Sequence, residues 1–391
     1  MITRLTLVNF KAFRRLDLAM GPLTLLTGLN SSGKSSVLQS LALLRQSFGR
    51  GRSASPEEGL MLNGELVELG TARDLLHDDF GPADDLLATD APLVGFVVVE
   101  ADVTGGFVAD CELDEPEELA GGFIARYDLD EPDEDVMEAY DFPRGASILE
   151  IPFQYLHADR ITPAVTYPRT RQIALGRGFL GVRGEHTVNY LRHHAEREVL
   201  NGPLRHPAAT SPQLLDQTVA WMQELCPGVN LQASAIEGTD FVRLSYGFGG
   251  TAGINATRRR RPTNVGFGLT YALPIVVACL TATPESLILL ENPEAHLHPK
   301  GQSRMAALIS AAAATGAQLI VETHSDHVLN GVRIAVKQEA LRPEDAVIHF
   351  FRGNGSGAEV VTPRIDEDGM LAQWPEGFFD EWENSLDQLL D

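Results

Sequence analysis

Polar and apolar positions alternate from Ile2 to Val8, the period of two that predicts a strand with one buried face. Strand-like runs follow at Leu16 to Leu18 and Leu23 to Thr27. After a glycine-containing stretch, Val37, Leu38, Leu41, Leu43 and Leu44 recur at helical spacing between Ser35 and Arg45. The chain therefore opens as strand, loop, helix. Between Pro92 and Phe153, β-branched runs such as Val94 to Val99 and Ile148 to Ile151 alternate with acidic turns containing Pro and Gly, which predicts an antiparallel sheet. A mostly helical stretch is expected from Thr187 to Cys226, with a helix start at Ser211-Pro212-Gln213 and a stop at Pro227-Gly228. Short strands return between Leu231 and Tyr246. From Gly266 onward the pattern is helix (Leu269 to Leu280), strand (Leu287 to Leu290), helix (Gly301 to Ala314) and strand (Gln318 to Glu322). Such alternation marks a parallel sheet covered by helices.

The fold class expected is thus α/β, with a core split along the chain. Residues 1–90 hold its first part, 91–155 an antiparallel β insertion and 156–262 a mainly helical lobe. Residues 263–345 supply the rest of the core and 346–391 a small C-terminal domain. There is no internal repeat and no heptad run.

Composition narrows the function classes. In 391 residues with 44% hydrophobic content, the longest apolar stretch, Ala272 to Ala282, is too short for a membrane span and contains Pro274. A cytoplasmic protein without a membrane partner is expected. Cys111, Cys226 and Cys279 share no CxxC or Cys/His spacing, so neither a disulfide framework nor a zinc site is suggested. A formal net charge of -23 argues against general attraction to phosphate-rich polymers and restricts any nucleic-acid contact to local surfaces. Acids dominate from Asp110 to Asp141, which reads as solvated loops. Arginines prevail from Arg160 to Arg205, and Arg258 to Arg261 form a second basic run.

Gly28-Leu29-Asn30-Ser31-Ser32-Gly33-Lys34-Ser35 matches G-x-x-x-x-G-K-[ST] between a strand and a helix, the P-loop arrangement that holds the phosphates of ATP. Gly28 and Gly33 permit the torsions that let successive N–H groups of Asn30, Ser31, Ser32 and their neighbours wrap phosphate. Lys34 supplies charge between the β- and γ-phosphates. Ser35, followed by Ser36, offers a hydroxyl to Mg²⁺ at a helix N-terminus. Leu287 to Leu290 form an apolar run that ends in Glu291, where a carboxylate at a strand edge can hold Mg²⁺ directly or through water. Leu319 to Glu322 lead to Thr323-His324-Ser325-Asp326. There His324 can contact the γ-phosphate or orient water, or cap the next helix, a role Ser325 and Asp326 could also fill. Gly266, Phe267 and Gly268 open a helix with bare N–H groups, suited to a phosphate carried by a neighbouring copy or to a plain turn. His296 and His298 with Glu294 do not have the spacing of a metal site. Tyr155 to Arg160 end a strand, with a surface role and burial both open.

Loop, glycine-rich helix start, strand with acid and strand with histidine, in that order, resemble the ABC-type ATPase heads of the SMC and RecF-like class within the AAA family. Asn9-Phe10-Lys11-Ala12-Phe13, Gly266-Phe267-Gly268, Glu291 to Pro299 and Thr323 to Asp326 are similar in wording to compact bacterial ATPases. These are the ATPases related to the overcoming-lysogenization-defect and anti-phage defence proteins. Ile365 to Gly369 and Trp374 to Glu381 resemble an uncharacterised C-terminal domain attached to such ATPases. The resemblance implies a P-loop NTPase with an ABC-type head, an antiparallel β lobe and a helical lobe, using ATP and Mg²⁺. It further implies an ATP-dependent head-to-tail homodimer or higher assembly, with each ATP between one P-loop and the partner's glycine motif, and a separate effector protein.

Two departures qualify the resemblance. Asn292 stands where such proteins carry the acid that polarises water, leaving either slow hydrolysis or a base supplied by Glu294. Gly266 stands where the signature serine falls. A nucleotide-locked scaffold and a RecF-like DNA-repair clamp are the rival readings, and a transporter ATPase subunit is disfavoured by the lack of a coupling segment.

Overall fold

The computed structural model describes residues 1–49, 59–81, 92–100, 104–111, 123–124, 147–249, 258–353 and 358–390. Most of the acidic stretch read as solvated loops lies outside the described residues. The chain forms two compact units, one of Met1–Gly21, Leu26–Ile151 and His349–Thr362, the other of Pro22–Leu25, Pro152–Ile348 and Pro363–Asp391.

In the first unit, strands Phe13–Ala19, Ile2–Phe10, Leu93–Glu100 and Thr104–Asp110 form a four-stranded sheet in that order. Every pairing is antiparallel, with Leu5 opposite Leu18 on one side and Val98 on the other. The strands of the expected β insertion thus extend the N-terminal sheet. Leu5 and Leu7 are fully buried, as are Phe10 and Phe96, whose rings meet edge to face at 5.1 Å. The strand expected at Ile148 to Ile151 is instead a helical turn, Ser147–Glu150. The Arg45 guanidinium donates to the carbonyls of Ile148 (2.6 Å) and Ile151 (2.9 Å), satisfying groups that a strand would have paired. The end of strand Leu23–Gly28 lies beside strand Ala346–Gly353, which pairs antiparallel with Ala358–Val361. Of this C-terminal stretch, His349–Thr362 belongs to the first unit and Pro363–Asp391 to the second.

In the second unit, strand Leu287–Glu291 lies between Phe153–Leu156 and Gln318–Glu322, parallel to both. Its run of four leucine and isoleucine residues is buried without alternation, as expected for a parallel strand covered on both faces. The boundary expected at residue 155 falls instead at Ile151/Pro152, because Phe153–Leu156 belongs to this parallel sheet. Helices Phe267–Leu280, Pro299–Ala314 and Asp326–Lys337 follow the predicted order, and the first is buried from Leu269 to Leu280. Thr187–His193 and Leu214–Leu225 are the helices of the helical lobe, and Val229–Ala235 with Phe241–Phe248 is an antiparallel hairpin.

Among the described residues no helix is long and apolar enough to cross a membrane.

Candidate nucleotide-binding and catalytic residues

The P-loop residues lie together in the first unit. Gly28 (φ 128°) and Gly33 (φ 94°) occupy backbone conformations that side chains rarely adopt. A Cβ on Gly28 would strike the Phe351 carbonyl, and one on Gly33 would strike the Phe13 ring and Ala12. Ala12 and Phe13 therefore brace the loop at Gly33. Ser31 is also left-handed (φ 59°), Leu29, Asn30 and Ser31 are exposed, and the Ser32 hydroxyl donates to the Leu29 carbonyl at 2.7 Å. Lys34, only 2% exposed, donates to the carbonyls of Gly28 (3.2 Å) and Leu29 (2.5 Å). Its charge is thus held inside the ring of the loop. Helix Lys34–Phe48 starts at Gly33 with no side-chain cap and no acid in its first turn. The Ser36 N–H is bonded back to the Gly33 carbonyl at 3.0 Å, and the partial positive charge of this helix start, together with Lys34, fits a nucleotide phosphate. Ser35 is half-buried and Ser36 buried at the same helix start.

The acidic and histidine residues lie together in the second unit. Glu291 ends its strand with both carboxylate oxygens engaged, Oε1 accepting from the Tyr155 hydroxyl (2.5 Å) and Oε2 from the Ala158 N–H (2.9 Å). Each oxygen keeps a second lone pair, so the carboxylate is aimed and remains able to meet a cation or its water. Burial, followed by the negative field of Glu291, holds the Tyr155 phenol well above its usual range, so it donates as a neutral hydroxyl.

Asn292 takes a left-handed backbone (φ 45°), with its N–H on the Glu322 carbonyl at 2.8 Å. Asparagine is among the few side chains that tolerate this conformation, which gives a local reason for its presence where an acid was expected. Its buried Oδ1 has no hydrogen-bond partner among the described residues. Glu294 Oε1 accepts the His324 N–H at 2.8 Å, while Oε2 is buried without a hydrogen bond. Desolvation raises the Glu294 pKa, and the hydrogen bonds with His324 and Thr323 and the charge of Arg160 act against it. A carboxyl lifted in this way can hold or release a proton nearer neutrality.

His324 is not the cap of the following helix. Ser325 is, its hydroxyl oxygen accepting from the Val328 N–H at 3.1 Å while the hydroxyl donates to Gln302 Oε1 at 2.6 Å. The His324 side chain is left 37% exposed, 4.0 Å from a Glu322 oxygen.

Gly266 begins helix Phe267–Leu280, and Phe267 is 52% exposed. A Cβ on Gly268 would lie 2.5 Å from the His296 carbonyl, so this glycine is required for close approach of the two turns. The His296 ring packs on Tyr271 at 4.7 Å and Phe267 at 5.8 Å, and His298 caps helix Pro299–Ala314 through its ring nitrogen. These are structural roles, and no group of three potential ligands gathers around a metal position among the described residues. Gly266, Gly268, Arg260, His296 and His298 line a cleft of about 420 Å³.

Sequence reasoning left Arg160 open between surface and interior. It is fully buried, and its guanidinium donates to the carbonyls of His157 (2.9 Å), Glu291 (2.7 Å) and Asn292 (2.7 Å). Its Cζ lies 5.4 Å from the centre of the Tyr271 ring. Tyr155 and Arg160 thus grip the acid-bearing turn from the neighbouring strand. The available signal was a tyrosine and an arginine bracketing the end of an apolar strand, but pairing of that strand with Leu287–Glu291 is a tertiary fact.

A family model described as "AAA domain, putative AbiEii toxin, Type IV TA system" matches residues 186–330. The chain is similar to ATPases of that kind. The match begins at residue 186, well after the P-loop, so the loop geometry and the family likeness are separate lines of support for ATP binding. A second model, "Protein of unknown function (DUF3696)", matches residues 341–389. No curated protein matches the chain. Among solved structures, an Smc head bound to the C-winged helix domain of ScpA is 14% identical, with 94% of this chain and 98% of that one covered and a TM-score of 0.47. The SMC head domain from Thermotoga maritima is also 14% identical, with 93% and 99% covered and a TM-score of 0.41. An Smc head with an extended coiled coil, bound to the C-terminal domain of ScpA derived from Pyrococcus furiosus, is 13% identical, with 100% and 99% covered and a TM-score of 0.46.

Proposed function

We propose that the protein is an ATP-binding and ATP-hydrolysing switch that dimerises head to tail around ATP. In this reading it serves as the sensor or regulatory ATPase of a bacterial anti-phage defence complex with a separate effector. The observation that carries ATP binding is the P-loop itself, with Lys34 held within the loop at an uncapped helix start. Ser35 and Glu291 take the Mg²⁺ roles, the ion neutralising phosphate charge when bound. Glu294, lifted by burial, is the candidate base, and His324 the candidate γ-phosphate or water contact. Gly266, Phe267 and Gly268 serve the nucleotide of a second copy. Lys34→Ala is expected to weaken ATP binding more than 100-fold in titration calorimetry and to abolish ATP-dependent dimerisation. Retention of both overturns the reading.

A second reading, a nucleotide-locked scaffold with little turnover, is favoured by the left-handed Asn292, which offers no proton acceptor of use in hydrolysis. Steady-state phosphate release separates the two. A switch using Glu294 loses at least tenfold in Glu294→Gln, whereas a locked scaffold shows almost no turnover before or after that change.

A further inference from the structure

We propose that the cavity between the turn Gln172–Gly176 and the end of helix Thr187–His193 binds the phosphodiester backbone of nucleic acid without regard to base. The cavity, about 520 Å³, is lined by Arg171, Gln172, Leu175, Gly176 and His193, with no carboxylate among them. Its floor is a widened helical turn, in which the Gly176 N–H reaches the Arg171 carbonyl (3.0 Å) and the Arg177 N–H reaches that of Gln172 (3.0 Å). Such five-residue turns are rare and concentrate at functional sites.

The local charge is opposite to that of the chain. Between residues 161 and 195 there are five arginines (169, 171, 177, 183 and 192) and one acid, Glu185, in a protein of net charge -23. Glu185 is engaged with the Arg183 N–H at 3.0 Å, and Arg183 meets Asp159 at 3.3 Å. Arg169 and Arg171 are exposed, and neither has a carboxylate within ion-pair distance among the described residues. Burial, and after it the charges of His193 and Arg197, lowers the pKa of the neighbouring His194.

The ligand class follows from this lining. The Arg171 guanidinium, the His193 imidazole and the Gln172 amide can donate to phosphate oxygens, with Arg169 exposed two residues before the lining, and Arg in particular matches phosphate in a forked geometry. No aromatic ring other than His193 lines the cavity, so stacking on bases is not the mode of recognition. A net charge of -23 disfavours general attraction to phosphate, so binding at a local basic surface such as this is steeply dependent on salt.

The test is fluorescence anisotropy of the full chain with a labelled duplex and a labelled single strand of about 20 nucleotides, between about 50 and 200 mM NaCl. Binding of at least one of them should weaken with salt. Arg169→Ala/Arg171→Ala should raise Kd by about tenfold or more and flatten the log–log salt slope by between one and two. Arg169→Lys/Arg171→Lys, which keeps both charges, should retain the slope. Arg342→Ala, which removes an exposed arginine paired with Asp345, should leave Kd unchanged. Circular dichroism of each variant shows that the fold is kept. Absence of salt-dependent binding by the native chain overturns the proposal, as does equal loss in Arg342→Ala. It is also overturned if inorganic polyphosphate binds while neither oligonucleotide does. The site uses no P-loop residue, so Lys34→Ala should bind the oligonucleotide normally, and failure of ATP binding leaves this result independent.

Discussion

Arg160→Met exchanges a buried guanidinium for an apolar chain of similar length and leaves three carbonyl oxygens, those of His157, Glu291 and Asn292, without their donor. Charge-assisted hydrogen bonds are worth about 2 kcal/mol each. Against them stands the burial of the charge, which pulls the Arg160 pKa down to about 10, a cost of about 3 kcal/mol. The difference is a net loss of about 3 kcal/mol, within the range for breaking a buried ionic contact. Because two of the carbonyls, those of Glu291 and Asn292, belong to the acid-bearing turn, the loss is expected as faster hydrogen exchange across residues 291–296 together with a lower thermal midpoint. Arg160→Lys keeps the charge but not the fork, so it should fall between the two.

The same substitution has a signature in pH. Burial raises the Glu294 pKa, so Glu294 contributes stability that is full below the ordinary carboxyl range and lost as pH rises through the raised value. The Arg160 charge opposes that shift, and its removal raises the Glu294 pKa further. The acid limb of the ATPase pH–rate profile should therefore move to higher pH in Arg160→Met and move less in Arg160→Lys. A Met variant with native exchange at residues 291–296 and an unmoved acid limb would refute the assignment of Arg160 as the residue that positions this turn.

Gly33→Ala places a Cβ into Phe13 and Ala12 at φ 94°, and is expected to destabilise the first unit by about 2 kcal/mol, read by denaturant unfolding, and to lower ATP affinity. Gly268→Ala brings a Cβ to 2.5 Å from the His296 carbonyl and should separate the two turns, lowering the thermal midpoint. Ser325→Ala removes the cap of helix Asp326–Lys337 and its bond to Gln302, an expected loss of about 1 to 2 kcal/mol with faster exchange in the first turn of that helix.

Local patterning determined a large part of this protein. The P-loop could be read from eight residues because its geometry is imposed by glycine torsions and a helix start, both properties of adjacent residues. Strands Leu287–Glu291 and Gln318–Glu322 and the helices after them were legible for the same reason, since doubly covered strands must be continuously apolar. The helical turn at Ser147–Glu150 was not, because its carbonyls are satisfied by Arg45 from more than a hundred residues away. Nor was the cap of helix Asp326–Lys337, for which Ser325, Asp326 and His324 all stayed open until the Ser325 hydroxyl was seen to accept from the Val328 N–H. Only the tertiary structure could decide Arg160. A guanidinium in an extended segment is a surface group by default, and it becomes interior only where another strand's end presents carbonyls that repay its desolvation.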